Sequence, residues 1–133
     1  MSETTAPGGW PGGITAITLF VEDLEETRAF YERVFGLPAV WEDDNSTVFR
    51  FADTMINLLR VTQAPSLFEP AQVAPPEAGA RYQFTLTVDD VDAMCDELRS
   101  RGVQLLNGPV DRPWGIRTAS FKDPAGHIWE IAH

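Results

Sequence analysis

The chain has 133 residues, 44% of them hydrophobic, and 20 acidic residues against 10 basic ones leave a formal net charge of −10. That suffices for one domain with its own core, and a pI near 4.4 argues against nucleic acid as a partner, because neutralising phosphates needs a basic surface. No apolar run approaches the roughly 18 residues that cross a bilayer, and MSETTAPGG lacks the basic start and apolar stretch of a signal peptide, so a cytoplasmic location with no membrane partner is expected.

Residues 1–13, MSETTAPGGWPGG, are too rich in Gly, Pro and small polar residues to hold regular structure and are expected to form a flexible tail, with Trp10 able to dock. The β-branched, alternating run ITAITLFV predicts a strand. Asp23, with Glu26 three positions on, makes a capping box for the helix LEETRAFYERVF, which Gly36 and Pro38 stop. LPAVWEDD, STVFRF and TMINLLRV then predict three strands. A Pro-rich linker follows over about residues 63–80, TQAPSLFEPAQVAPPEAGA being long enough to reach over a cavity or grip a second subunit. RYQFTLTV predicts another strand, and Asp89-Asp90 opens a helix with Val91, Met94, Cys95 and Leu98 on one face and Gly102 at its end. The strands VQLLNG, IRTASF and HIWEIA complete the chain, the last two joined by the turn Asp123-Pro124-Ala125-Gly126. Cys95, the single cysteine, reads as a buried thiol with no chemistry.

Both halves therefore carry the order β-α-β-β-β. VEDLEE and VDDVDA superimpose about half a chain apart, the mark of a duplication. The expected fold is α+β, with two tandem modules at about 14–62 and 81–132 inside one domain at 14–132. Each module has one helix for one sheet face, so the other face must bend round a cavity, pair with its copy, or both.

This order, with ITLFVEDLEETRAFYERVFGL in the first half and VDDVDAMCDELRSRGV and PWGIRTASFKDPAGHIWEI in the second, resembles the vicinal oxygen chelate superfamily over roughly residues 14–132. Glyoxalase I, extradiol dioxygenases, fosfomycin-modifying enzymes and bleomycin-resistance proteins share that scaffold. The resemblance implies one eight-stranded mixed sheet curled around a central cavity, commonly in a homodimer. Metal-dependent members carry ligands on inward strand positions that fall here at Ala16, Asn57, Gln83 and Glu130. Only Glu130 is a good ligand; Ala16 has no donor atom, and neutral amides bind metal weakly.

Histidine does not mend that set. His127 and His133 each stand three residues from Glu130, on the opposite strand face and about 10 Å along it. A symmetric dimer would supply the same poor ligands again. No metal and no other cofactor is expected. If Glu130 faces inward, alternation turns Ile128 and Ala132 with it and sends Trp129 and Ile131 to the helix side. The same parity gathers Asn57, Gln83, Phe20, Leu59 and Thr85 along apolar walls that suit an organic ligand. These polar groups could equally bond one another or water across a sheet seam. Trp41 and Trp114 stand beside turn residues, where a ring can stack on a planar or cationic ligand or close the end of the core.

The expected function is metal-free binding of bleomycin-resistance type, sequestering a small aromatic or cationic organic ligand and so giving antibiotic tolerance. The alternative is a glyoxalase- or dioxygenase-like lyase or isomerase that uses Glu130 as base or residual metal ligand. An interaction module whose cavity is filled by its own side chains is the third reading.

Overall fold

The computed structural model describes residues 8–9 and 12–133, so most of the expected tail, with Trp10, lies outside the described residues. Strand β1 spans Ala16–Val21 and leads to Asp23, whose carboxylate accepts the Glu26 backbone N–H at 3.0 Å and caps α1, Leu24–Phe35. Gly36 ends α1 in the left-handed region at φ 67°, a conformation that favours glycine. Strands β2, Ala39–Glu42, β3, Ser46–Phe51, and β4, Thr54–Arg60, complete the first module. The linker is not bare coil: it holds a 3-10 turn at Val61–Gln63, the short helix α2 at Pro65–Phe68 and a second 3-10 turn at Pro76–Ala78. The second module repeats the order with β5, Phe84–Thr87, α3, Val91–Ser100, β6, Asn107–Asp111, β7, Arg117–Lys122, and β8, Ile128–Ala132. Asp90 caps α3 through the Ala93 N–H at 3.0 Å, as Asp23 caps α1.

Two expected strands shift. VQLLNG is a strand only at its end, because Val103 is taken up by the α3 terminus, where its N–H donates to the Leu98 carbonyl and the Gly102 N–H to the Arg99 carbonyl. Strand β6 starts at Asn107 and tolerates Pro109 because it is an edge strand. Gly108 within it stands at φ 94°, and a Cβ there would lie 2.5 Å from the Thr118 carbonyl oxygen, so β7 approaches closely only because the residue is glycine. In RYQFTLTV, ladder pairing begins at Phe84 opposite Trp129, which leaves Gln83 just before β5.

Strand pairing stays within each module. The orders are β1-β4-β3-β2 and β5-β8-β7-β6, with β1/β4 and β5/β8 parallel and the other neighbours antiparallel. The expected single curled sheet is therefore two four-stranded sheets. They are joined by packing: the helix-side faces of both sheets meet in one core that holds Leu19, Val21, Phe49, Ile56 and Leu58 from the first module and Ala119, Phe121, Trp129 and Ile131 from the second. Helix α1 bridges them. Tyr31 stacks on Phe49 at 5.6 Å and meets Trp129 edge-on at 6.0 Å, while Phe35 lies 5.1 Å from Phe51 and 4.8 Å from Trp129. Tyr31, Phe49 and Trp129 are fully buried and each contributes about 1.5–3 kcal/mol of transfer free energy. With that core filled, the other face of each sheet is turned away from it.

One polar chain crosses the core. The Tyr31 hydroxyl donates to Asp123 Oδ2 at 2.9 Å and accepts the Trp129 indole N–H at 3.1 Å, while Asp123 Oδ1 accepts the backbone N–H groups of Ala125 and His127, both at 2.9 Å. Burial pushes the Tyr31 phenol well above its ordinary pKa, with the Asp123 charge adding to the effect, so Tyr31 remains a donor. Asp123 thus builds the β7–β8 turn and locks it to α1 of the other module.

Candidate functional site

The sheet faces turned from the core carry most of the expected site residues, with Gln83 just before β5 and Trp114 in the β6–β7 turn, and register assigns the strand residues to rows. In the first sheet Thr18, Asn57, Val48 and Trp41 stand side by side across β1, β4, β3 and β2. In the second, Thr85, Glu130, Ser120 and Asn107 form the corresponding row across β5, β8, β7 and β6. The duplication thus places Glu130 where the first module has Asn57, and Thr85 where it has Thr18. The expected parity holds: Trp129 and Ile131 are buried in the core, and Glu130 lies on the opposite face.

Glu130 is half-buried and held from both sides. Oε1 accepts the Thr85 hydroxyl at 2.9 Å and Oε2 accepts the Gln83 amide at 3.3 Å, which leaves lone pairs on both oxygens for a donor. In the first sheet the Asn57 amide donates to Thr18 Oγ1 at 3.4 Å, while Asn57 Oδ1 is buried with no hydrogen-bond partner. An acceptor left so costs about 1–3 kcal/mol and invites a donor. Leu59 and Phe20 are register partners one row along, with Phe20 edge-on to Phe68 of α2 at 5.4 Å. Trp41 is 60% exposed on the Asn57 row. Trp114 is 69% exposed in the β6–β7 turn, outside both rows.

The structure therefore gathers Glu130, Gln83 and Thr85 on one sheet, and Asn57, Trp41, Phe20 and Leu59 on the other. No hydrogen bond among the described residues links the two groups. The four positions expected for a metal offer one carboxylate, two amides and, at Ala16, no donor, divided between two sheets. That set does not fit a resident divalent ion. Among the described residues no three His, Cys, Asp or Glu side chains come close enough to share one. His133 bonds the Val88 carbonyl at 3.0 Å, and Cys95 is buried on α3 with its thiol pushed up by burial. Arg117 makes ion pairs with Asp92 at 2.8 Å and Asp111 at 3.0 Å. No helix among the described residues is long and apolar enough to cross a membrane.

Three residues outside the sequence-based set gather at the edge of β1. His127 leaves its own turn to bond the Phe20 carbonyl at 2.9 Å, and it bonds the Tyr82 hydroxyl through Nδ1. Burial raises the Tyr82 phenol, and the Asp123 charge raises it further. Glu22 stands at the same edge, and the linker segment Val73–Ala80 lies over the cavity that these side chains line. The turn motif signalled Asp123 and His127. Nothing in the sequence joined them to β1, because that contact crosses between modules, or to Tyr82, which lies 45 positions from His127.

The chain matches the model of the Glyoxalase/Bleomycin resistance protein/Dioxygenase superfamily over residues 13–131. It is 34% identical over 119 residues to the uncharacterized protein YraH of Bacillus subtilis (strain 168), covering 86% of this chain and 93% of that protein. It is 28% identical over 123 residues to the metallothiol transferase FosB of Lysinibacillus sphaericus (strain C3-41), covering 89% of this chain and 79% of that one. The crystal structure of lactoylglutathione lyase from Agrobacterium tumefaciens superimposes with a TM-score of 0.74 at 23% identity, over 92% of this chain and 93% of the other, a likeness of fold. With nearly its whole length matched and the duplicated modules in place, the chain belongs to the glyoxalase/bleomycin resistance protein/dioxygenase superfamily.

Proposed function

We propose that the chain is a metal-free binding protein that captures a small aromatic or cationic organic molecule and protects by stoichiometric sequestration, as in antibiotic tolerance. The observation that carries this reading is the Glu130 row, where a carboxylate fixed by Thr85 and Gln83 faces outward with no second strong ligand beside it. A carboxylate so held meets a cation or an N–H donor, and the neighbouring hydroxyl and amide orient it. The face bearing Trp41 supplies the aromatic wall. In this proposal two copies of the chain pair about a two-fold axis, setting the Trp41 face of each against the Glu130 face of the other.

Metal content, mass in solution and a tryptophan-fluorescence titration against glycopeptide, enediyne and anthraquinone-like compounds test this on protein purified without a metal-binding tag. A metal-free dimer with saturable quenching that weakens in Glu130→Gln and Trp41→Ala is expected. Stoichiometric metal that is removed by chelator and lost in Glu130→Ala refutes it.

The similarity to FosB supports a second reading, an enzyme of the same fold in which Glu130 serves as base or residual ligand. Turnover by purified protein, abolished in Glu130→Gln, distinguishes it from capture.

A further inference from the structure

A cavity of about 430 Å³ lies beside β1, under the linker and away from the Glu130 row. Ile17, Phe20, Glu22, Tyr82, Phe84 and His127 line it, with the linker segment from Val73 to Ala80 as roof; Asn57, Gln83 and Glu130 are not among its walls. It sits where the edge strands β1 and β5 of the two sheets face the same linker.

Its polar character follows from its hydrogen bonds. A carbonyl only accepts, so the His127 Nε2 that bonds the Phe20 oxygen at 2.9 Å carries the proton. Nδ1 is then the acceptor, and the Tyr82 hydroxyl donates to it. Both imidazole nitrogens are committed, and His127 offers the cavity a ring face stacked with Tyr82 at 5.9 Å between centroids. The Tyr82 hydroxyl commits its hydrogen to His127 Nδ1 and offers the cavity only lone pairs, which accept. Tyr82 also lies 5.2 Å from Phe84. Glu22 is the one carboxylate in the lining, no lysine or arginine accompanies it, and no ion pair engages it among the described residues. The walls are thus mainly aromatic and aliphatic; the Thr18 hydroxyl, whose oxygen accepts the Asn57 amide, is the one side-chain donor left uncommitted, and the other polar groups accept hydrogen bonds or carry negative charge.

We propose that this cavity is a second binding site, specific for a small arylalkyl ammonium ion. The aryl ring lies among Phe20, Phe84 and the Tyr82–His127 pair, and the ammonium group reaches Glu22. Ring faces attract a cation, a carboxylate pairs with it, and the acidic surface of the whole chain raises its local concentration. An anion meets Glu22 and the acceptor oxygen of Tyr82 and is repelled. The site shares Thr18 and Phe20 with the Asn57 face but no residue with the Glu130 row, so a Glu130 variant separates the two.

The test is a chemical-shift titration of the full-length, isotope-labelled protein with 2-phenylethylamine, 3-phenyl-1-propanol and 3-phenylpropionate. The amine is expected to give saturable shifts at Phe20, Tyr82, Phe84, Gly126 and His127, with the alcohol about tenfold weaker and the carboxylate weaker still. Glu22→Gln, at an exposed position, removes the preference for the amine while the fold stays intact. Ala80→Trp, on the exposed linker, fills the cavity and abolishes the shifts, whereas Glu130→Gln leaves them unchanged. Shifts confined to Thr85, Glu130 and Asn57, or loss of amine binding in Glu130→Gln alone, overturn the proposal in favour of the sheet face. Equal binding of amine and carboxylate, or no saturable shift with the amine, overturns it outright.

Discussion

Replacing Tyr31 by Phe removes one oxygen that serves two buried partners. Its hydroxyl donates to Asp123 Oδ2 at 2.9 Å and accepts from the Trp129 indole at 3.1 Å, and both rings are essentially without solvent contact. Loss of a hydrogen bond to a charged group costs about 1.5–3 kcal/mol, and an indole N–H left buried and unpaired adds about 1, so Tyr31→Phe should cost about 2–4 kcal/mol. For a domain of this size each kcal/mol lowers Tm by roughly 3–5 °C, giving a fall of roughly 6–20 °C. The pH dependence has a definite sign. Burial raises the Asp123 pKa in the fold, so the part of the stability linked to its titration is present below the unfolded value and lost as pH rises through the folded one. The Tyr31 bond favours the carboxylate, and removing it raises that pKa further. The deficit of Tyr31→Phe is therefore larger at neutral pH than near pH 4. Urea unfolding at both pH values, followed by Trp129 fluorescence, measures it. A cost below about 0.5 kcal/mol, or a larger deficit in acid, refutes the reasoning, since surface changes alone give that little. The same substitution should loosen the β7–β8 turn and with it the contact of His127 with β1.

Gly108→Ala forces a Cβ against the Thr118 carbonyl oxygen and Ala119 at φ 94° and is expected to cost about 2–4 kcal/mol in equilibrium unfolding; a neutral result would mean that β6 moves freely on β7. Asp23→Ala and Asp90→Ala each remove a helix cap of the same geometry, so each should cost about 1 kcal/mol by the same measurement. The hydrogen bond from Arg117 is the main cause that holds the Asp92 carboxyl below its ordinary pKa, so Asp92 favours the fold above that range and loses the effect as pH falls through its folded value. In Arg117→Gln, carboxyl-carbon NMR should find Asp92 titrating at higher pH, and an unchanged midpoint would remove the ion pair as the cause.

Much of this was legible in the sequence because it is local. Asp23 and Asp90 announced two helices, Gly36 and Gly102 ended them, and strict alternation in HIWEIA put Trp129 and Glu130 on opposite faces. Parity likewise gathered Asn57, Phe20, Leu59, Thr85 and Glu130 on the faces turned from the helices, since a strand has only two faces, while register chose their neighbours across strands. Where a local rule met a longer-range demand, the reading slipped. Val103 reads as a strand residue but belongs to the α3 cap, and Gln83 reads as a strand residue but stands just before the first ladder pair, Phe84 with Trp129.

The duplicated modules and the faces of their strands were already written in the chain, because each depends on residue type and short spacing. That the strands close two sheets instead of one, that the helix sides of both share the Tyr31–Asp123–Trp129 core, and that the linker covers a cavity at the β1 edge emerged with the folded chain. Those outcomes rest on packing between residues nearly a hundred positions apart, and burial of shared apolar surface, which is non-directional, leaves no periodic trace along the chain.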